Sequence, residues 1–182
     1  MTTPDEIRPD DMRPDDMRPD DMRPGEIALP FDPAERKPDA GIVFIGRAQT
    51  AWTEQSGCPR NMGQARERGN RAVIVIDAAW RAGLAGLAAG DWIQVLIWAH
   101  KARRDLIVQA PKHRDKPVGV FSLRSPVRPN PILLSLTCIA AIDHGAGRID
   151  VDALDCLNGS PVIDIKPFIA SADRPDGLAG NP

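Results

Sequence analysis

The apolar residues of this chain fall into short β-branched runs, each ended within about ten residues by glycine or proline, and that punctuation limits what the chain can fold into. The runs are residues 41–47 (GIVFIGR), 72–76 (AVIVI), 92–99 (WIQVLIWA), 118–123 (VGVFSL), 133–142 (LLSLTCIAAI), 148–154 (RIDVDAL) and 162–165 (VIDI). Each has the length and residue types of a strand. Residues 48–71 are polar and carry Gly57, Pro59, Gly63 and Gly69, so they are expected as a long loop. A short helix is expected from Ala78 to about Ala88, with Asp77 as its cap and Gly90 as its stop. Residues 101–116 set an apolar centre between basic ends, and HGAG at 144–147 is a turn joining two strands. About seven short strands and one helix predict a mainly β fold, a small antiparallel β-barrel, closed or partly open, with long loops. No GxGxxG follows a strand, so a dinucleotide fold of the doubly wound type is not indicated.

The N-terminus is different in kind. DEIRP at 5–9 is followed by DDMRP three times, at 10–14, 15–19 and 20–24. Proline at every fifth position blocks both a continuous helix and a ladder, and one apolar residue in five cannot offset the entropy of ordering. Residues 1–38 are therefore expected as a flexible acidic tail, and 39–182 as one domain. The tail holds 6 Lys+Arg against 11 Asp+Glu and the remainder 17 against 14. The domain is thus mildly basic, which suits an RNA partner without requiring one.

No stretch is apolar for long enough to span a bilayer, and the acidic, Pro-rich start is not a signal peptide. Cys58, Cys138 and Cys156 are odd in number and widely spaced, which points to reduced thiols in the cytoplasm with no metal site among them.

Two segments carry polar residues in patterns that suggest chemistry. Residues 119–136 read GVFSLRSPVRPNPILLSL. Three prolines in six residues stiffen the backbone and lower the cost of holding Arg124, Arg128 and Asn130 in place, and their donors suit a carboxylate or phosphate; the alternative is a proline-rich surface connection with solvated arginines. Residues 154–168 read LDCLNGSPVIDIKPF. Asn158-Gly159 is a turn signal, and Asp164 and Lys166 share one face of a strand, as a site pair or as an ordinary ion pair.

Together these two segments resemble the TrmO family, also called YaeB or TsaA-like, whose signatures read roughly GVFATRSPxRPNPIGLS and LDxxDGTPVxDIKPY. The resemblance covers residues 41–170. It implies a compact β-barrel, a homodimer, S-adenosylmethionine as cofactor, and methylation of threonylcarbamoyl-adenosine beside the anticodon of tRNA. It also implies a cofactor site drawn from Pro59, Arg60 and Asn61, from His100 and Lys101, from Arg124 and Leu134, and from Leu154, Asp155, Cys156 and Leu157. On chemical grounds Arg60 or Arg124 suits the cofactor's carboxylate, Leu134 and Leu157 its adenine, and backbone carbonyls near 154–157 its sulfonium. Asp155 or His100 is the candidate base. Arg128, Asn130, Asp164 and Lys166 complete the motif positions. The chain departs from the family at Leu133 (Gly in the family), Asn158 (Asp), Trp92 to Gln94 (His-Leu-Trp) and Ala48 to Thr50 (Ser-Pro). The same cofactor chemistry on another RNA or a small molecule, and a non-catalytic cofactor- or RNA-binding module, are the alternatives.

Overall fold

The computed structural model describes residues 22–174. Nine strands run in chain order: β1 (Ile27–Ala28), β2 (Gly46–Gln49), β3 (Ala72–Ile76), β4 (Trp92–Trp98), β5 (Leu106–Gln109), β6 (Val118–Gly119), β7 (Ile132–Asp143), β8 (Arg148–Val151) and β9 (Pro161–Pro167). Six of them close into an antiparallel barrel in the order β2-β3-β8-β7-β4-β9, the architecture expected from the punctuated β-branched runs. Closure leaves none of these strands as a free sheet edge. A small sheet, β1-β5-β6, lies apart from the barrel.

The barrel core follows from period-2 alternation. Ile74 and Ile76 on β3, Ile93, Val95 and Ile97 on β4, and Ile149 and Val151 on β8 are buried, while their sequence neighbours face outward. β7 keeps the alternation but puts hydroxyls on the inner side. Ser135 and Thr137 point inward and are buried, so Leu134 and Leu136 face out. Buried hydroxyls need partners, and these two find acids on the segment after β8. Ser135 Oγ donates to Asp155 Oδ1 at 2.7 Å, and Thr137 Oγ1 donates to Asp152, with the carbonyl of Ala153 also within 2.9 Å.

Several expectations are revised. The helix foreseen over 78–88 is a 3-10 helix, Ala78–Leu84. The expected loop 48–71 contains helix α1 (Met62–Glu67), capped by Asn61, whose Oδ1 accepts from Gln64 N at 2.9 Å. The pattern Asn61-x-x-Gln64 is a helix-start signal that sequence reasoning passed over. The strand foreseen over 118–123 stops at Gly119 and gives way to a 3-10 turn, Val120–Ser122.

The tail expectation lies outside the described residues for 1–21, and for 22–38 the structure differs. β1 pairs with β5, and buried Glu26 accepts from Arg23 N and Ala110 N, both at 3.0 Å. A carboxylate that takes two backbone donors and a strand that gains a partner explain why this stretch docks. A short helix, α2 (Ala170–Asp173), follows the barrel, and no helix among the described residues is long and apolar enough to cross a membrane.

β2 and β3 pack so closely that a Cβ at Gly46 would lie 2.1 Å from the carbonyl oxygen of Val75. Gly46→Ala is therefore expected to cost about 1–3 kcal/mol, as overpacking does, which lowers Tm by roughly 2–4 °C per kcal/mol in a chain of this size. Gly41, with nothing within 4 Å of such a Cβ, is the control: Gly41→Ala should leave the melting curve in place. Thermal unfolding of the two variants checks both.

Candidate active site

Two stretches meet where the barrel closes. From β2 onward, residues 48–52 run antiparallel to 154–160. Gly159 N donates to Ala48 O at 2.8 Å, Ala48 N to Ser160 O at 2.9 Å and Asn158 N to Trp52 O at 2.7 Å. Side chains fill in the rest: Thr50 Oγ1 donates to Cys156 O, Trp52 Nε1 to Leu154 O, and Asn158 Oδ1 accepts from Thr50 N. This pairing brings the loop holding Cys58, Pro59 and Arg60 against Asp155, Cys156 and Leu157.

A cavity of about 650 Å³ opens there, within the range of small-ligand sites. Of the residues singled out by sequence, it is lined by Pro59, Arg60, His100, Lys101, Arg124, Asp155, Cys156 and Leu157. Arg124 and Asp155, 31 positions apart in sequence, therefore face one space. Leu123, Leu133 and Pro126 add apolar wall. Arg23, Lys112, His113 and Arg114 also line it. Sequence reasoning missed these four: Arg23 sits in the repeat, and the basic run at 112–114 was legible only as charge.

The other foreseen residues lie elsewhere and do other work. Asn61 caps α1, and Arg60 N donates to Gln64 Oε1 at 3.0 Å, so the cap fixes the loop that carries Arg60. Leu154 is buried in the barrel core. Leu134 faces outward, and only its carbonyl serves the site, accepting from Arg124 Nη2 at 2.5 Å. Arg128 is a staple: its guanidinium donates to the carbonyls of Ser125 (2.8 Å), Val120 (3.2 Å) and Leu123 (2.5 Å). Asn130 is exposed at the entry to β7. Asp164 and Lys166 form a surface ion pair of 3.0 Å away from the cavity, of small energetic weight. The carbonyls of Leu154, Asp155, Cys156 and Leu157 each already accept from Trp52, Cys58, Thr50 and Ser160 respectively. Each of these carbonyls keeps a second lone pair, and Asp155 is the acidic side chain among the cavity's lining residues.

Electrostatics separate two neighbouring acids. At Asp155 burial raises the pKa, and the hydrogen bond from Ser135 and the charges of Arg124 and Arg66 offset this only in part. At Asp152 burial pushes the same way, but hydrogen bonds from Arg66, Thr137 and the Cys138 N–H outweigh it and the carboxyl stays below the usual range. Arg66 Nε holds Asp152 at 2.7 Å, which ties α1 to the barrel. Burial lowers the pKa of His100, helped by Lys101 and Arg47 and opposed by the backbone of Trp98, so its imidazole is neutral near pH 7. Burial, with Asp155 and Cys58 beside it, pushes the Cys156 thiol up, which favours the protonated thiol over the thiolate.

Among the cavity's lining residues six are Lys or Arg and one, Asp155, is acidic. Such a lining favours an anionic group on its ligand, with Asp155 as the acidic side chain among the cations. A closed six-stranded barrel with this cavity at its seam defines a small-ligand-binding β-barrel. Residues 47–174 match the family described as tRNA-methyltransferase O N-terminal domain, and the chain belongs to that family. A Rhizobium radiobacter protein named "Probable S-adenosyl-L-methionine-binding protein VirR" is 37% identical over 129 residues, 71% of each chain. The tRNA (adenine(37)-N6)-methyltransferase of Rattus norvegicus is 44% identical over 71 residues, 39% of this chain and 16% of that one. The crystal structure of TrmO from Pseudomonas aeruginosa superposes with a TM-score of 0.61 at 26% identity, covering 80% of this chain and 65% of that chain. The chain therefore spans slightly less than two thirds of the solved protein.

The raised pKa of Asp155 has a measurable consequence. Its contribution to stability is fully present below the unfolded value of 3.8 and is lost as pH rises through the higher folded value. Asp155→Asn keeps an oxygen to accept from Ser135 and removes the charge. It is expected to raise Tm at pH 8 by more than it does at pH 4. Melting scans across that range check it, and an equal shift at both ends would mean the carboxyl is not desolvated.

Proposed function

We propose that this protein is an S-adenosylmethionine-dependent methyltransferase that N6-methylates threonylcarbamoyl-adenosine next to the anticodon of tRNA, in the cytoplasm. The observation that carries the reading is the single desolvated carboxylate, Asp155, set in a cavity whose other charged groups are cations. The residues fit the cofactor. Arg60 and Arg124 offer bidentate donors for its carboxylate, Leu123, Leu133 and Leu157 an apolar wall for its adenine, and Asp155 a counter-charge for its cationic sulfur. When bound, S-adenosylmethionine supplies an electrophilic methyl group. The chain's share of the work is then mainly placement of the acceptor nitrogen in line with that methyl. Neutral His100 accepts the proton that the nitrogen releases, and the cationic rim holds RNA phosphates.

One observation favours a second reading, the same cofactor chemistry on a different acceptor. Leu133, where the family pattern has glycine, lines the cavity and narrows the space open to a substrate. A single experiment separates the two. The full chain is incubated with methyl-labelled S-adenosylmethionine and bulk tRNA, and the digested nucleosides are analysed by mass spectrometry. The proposal expects label on threonylcarbamoyl-adenosine. Cofactor binding without that label points to another acceptor. Binding itself is read as thermal stabilisation, about 2.7 kcal/mol at a hundred times the dissociation constant, and no stabilisation at saturating cofactor removes the methyltransferase reading.

The assembly is proposed as a homodimer. Its support is the outer face of β4 and β7, where Leu96 lies opposite Leu134, Trp98 opposite Ile132 and Gln94 opposite Leu136. An apolar outer sheet face is expected to find cover. Leu96→Lys sets a cation across from Asp164 on β9, an opposite charge that suits this half-buried outer position. Light scattering is expected to show a dimer for the parent and a monomer for this variant; a dimer in both excludes this face.

A further inference from the structure

Phe121 stands 88% exposed, yet the backbone beneath it is held by several hydrogen bonds. The 3-10 turn Val120–Ser122 is closed by Leu123 N donating to Val120 O at 3.1 Å and by Ser122 Oγ donating to Gly119 O at 2.8 Å. The half-buried Arg128 guanidinium spans the turn, bonding the carbonyls of Val120, Leu123 and Ser125. Val120, the residue before the ring, is buried, so the turn cannot rotate to hide Phe121 without exposing Val120. The three residues after it, Ser122, Leu123 and Arg124, line the cationic cavity. An apolar ring is thus held out into solvent, on rigid backbone, at the sill of a site rich in Arg and Lys.

We propose that Phe121 is a stacking platform for an unpaired nucleobase of the RNA substrate, next to the nucleotide that enters the cavity. This rests on the RNA reading above and names the residue that positions that substrate. Aromatic side chains beside a basic groove hold single-stranded RNA by stacking, because every base has a π-face. Unpaired loops are where proteins reach bases in RNA. The rigid turn means that little conformational freedom is lost when a base settles on the ring. Lys112 and Arg114, also on the cavity lining, supply the positive charge that draws the flanking phosphates, and the ring supplies preference for a loop over a duplex.

The test uses the full chain with two fluorescent RNAs, a hairpin with a seven-nucleotide loop and a blunt duplex of equal length. Phe121→Ala and Phe121→Leu are expected to weaken hairpin binding roughly tenfold, the order of one lost base stack. They should leave duplex binding, S-adenosylmethionine binding and Tm unchanged, and Phe121→Trp should retain hairpin affinity. A hairpin carrying 2-aminopurine in its loop reads the contact directly: its fluorescence falls on binding to the parent and not on binding to Phe121→Leu. Parent-like hairpin affinity in Phe121→Ala, or equal losses on hairpin and duplex, overturns the inference and leaves the RNA reading standing. Loss of the dimer in Phe121→Ala, seen by light scattering, assigns the ring to a protein interface instead. A parent that binds neither RNA removes the RNA reading and this inference with it.

Discussion

Closure of the barrel is the constraint on which the site depends. β2 and β9 meet over only a short register, Gly46 against Val162 and Arg47 against Pro161. The seam continues past the strands, through the pairing of 48–52 with 154–160. Together with the Cys58 Sγ–Asp155 O contact and the Arg66–Asp152 ion pair, it sets the loop bearing Pro59 and Arg60 against Asp155. Thr50 is central here. Its N–H meets Asn158 Oδ1 and its hydroxyl meets Cys156 O, so two positions that depart from the family pattern bond each other across the seam.

A second theme is the use of arginine as internal scaffold. Arg128 holds the proline-braced loop, Arg66 ties α1 to Asp152, and Arg68 Nη1 reaches Gly57 O at 2.6 Å, steadying the loop before α1. Guanidinium groups suit this because their planar fork serves several carbonyls or a carboxylate at once. In a chain with no tyrosine and few aromatics, these bonds fix loops that a larger apolar core would otherwise hold. Of the arginines that line the cavity, Arg60 and Arg124 then stand on backbone that does not need to reorganise when a ligand arrives.

β7 shows why part of the site was legible and part was not. In the sequence, residues 134–137 (LSLT) alternate leucine with hydroxyl, and hydrophobicity alone puts those leucines inward and the hydroxyls outward. The structure has them reversed. Ser135 and Thr137 are stable inside because Asp155 and Asp152 satisfy them, and Leu134 and Leu136 are left on the outer face, while Leu133 packs against the core. Period-2 alternation tells that two sets of residues lie on opposite faces, and does not say which face is the core. The same ambiguity concealed Ser135 as the partner of Asp155. Arg128 and Arg124 pose a similar problem, since both are arginines in one proline-rich loop and only the fold shows that one turns inward to carbonyls and the other toward the cavity.

The sequence by itself determined the strand-rich class, the rigid loop at 124–131, the turn at Asn158-Gly159 and the family resemblance, because these rest on local backbone preferences and contiguous motifs. The three-dimensional structure alone decided which end of the chain completes the site and which polar residues share the cavity. It also decided that Asp155 is desolvated while Asp152, three residues earlier, is held ionised. Burial and through-space charge depend on residues distant in sequence, and no local pattern encodes which of them barrel closure will bring together.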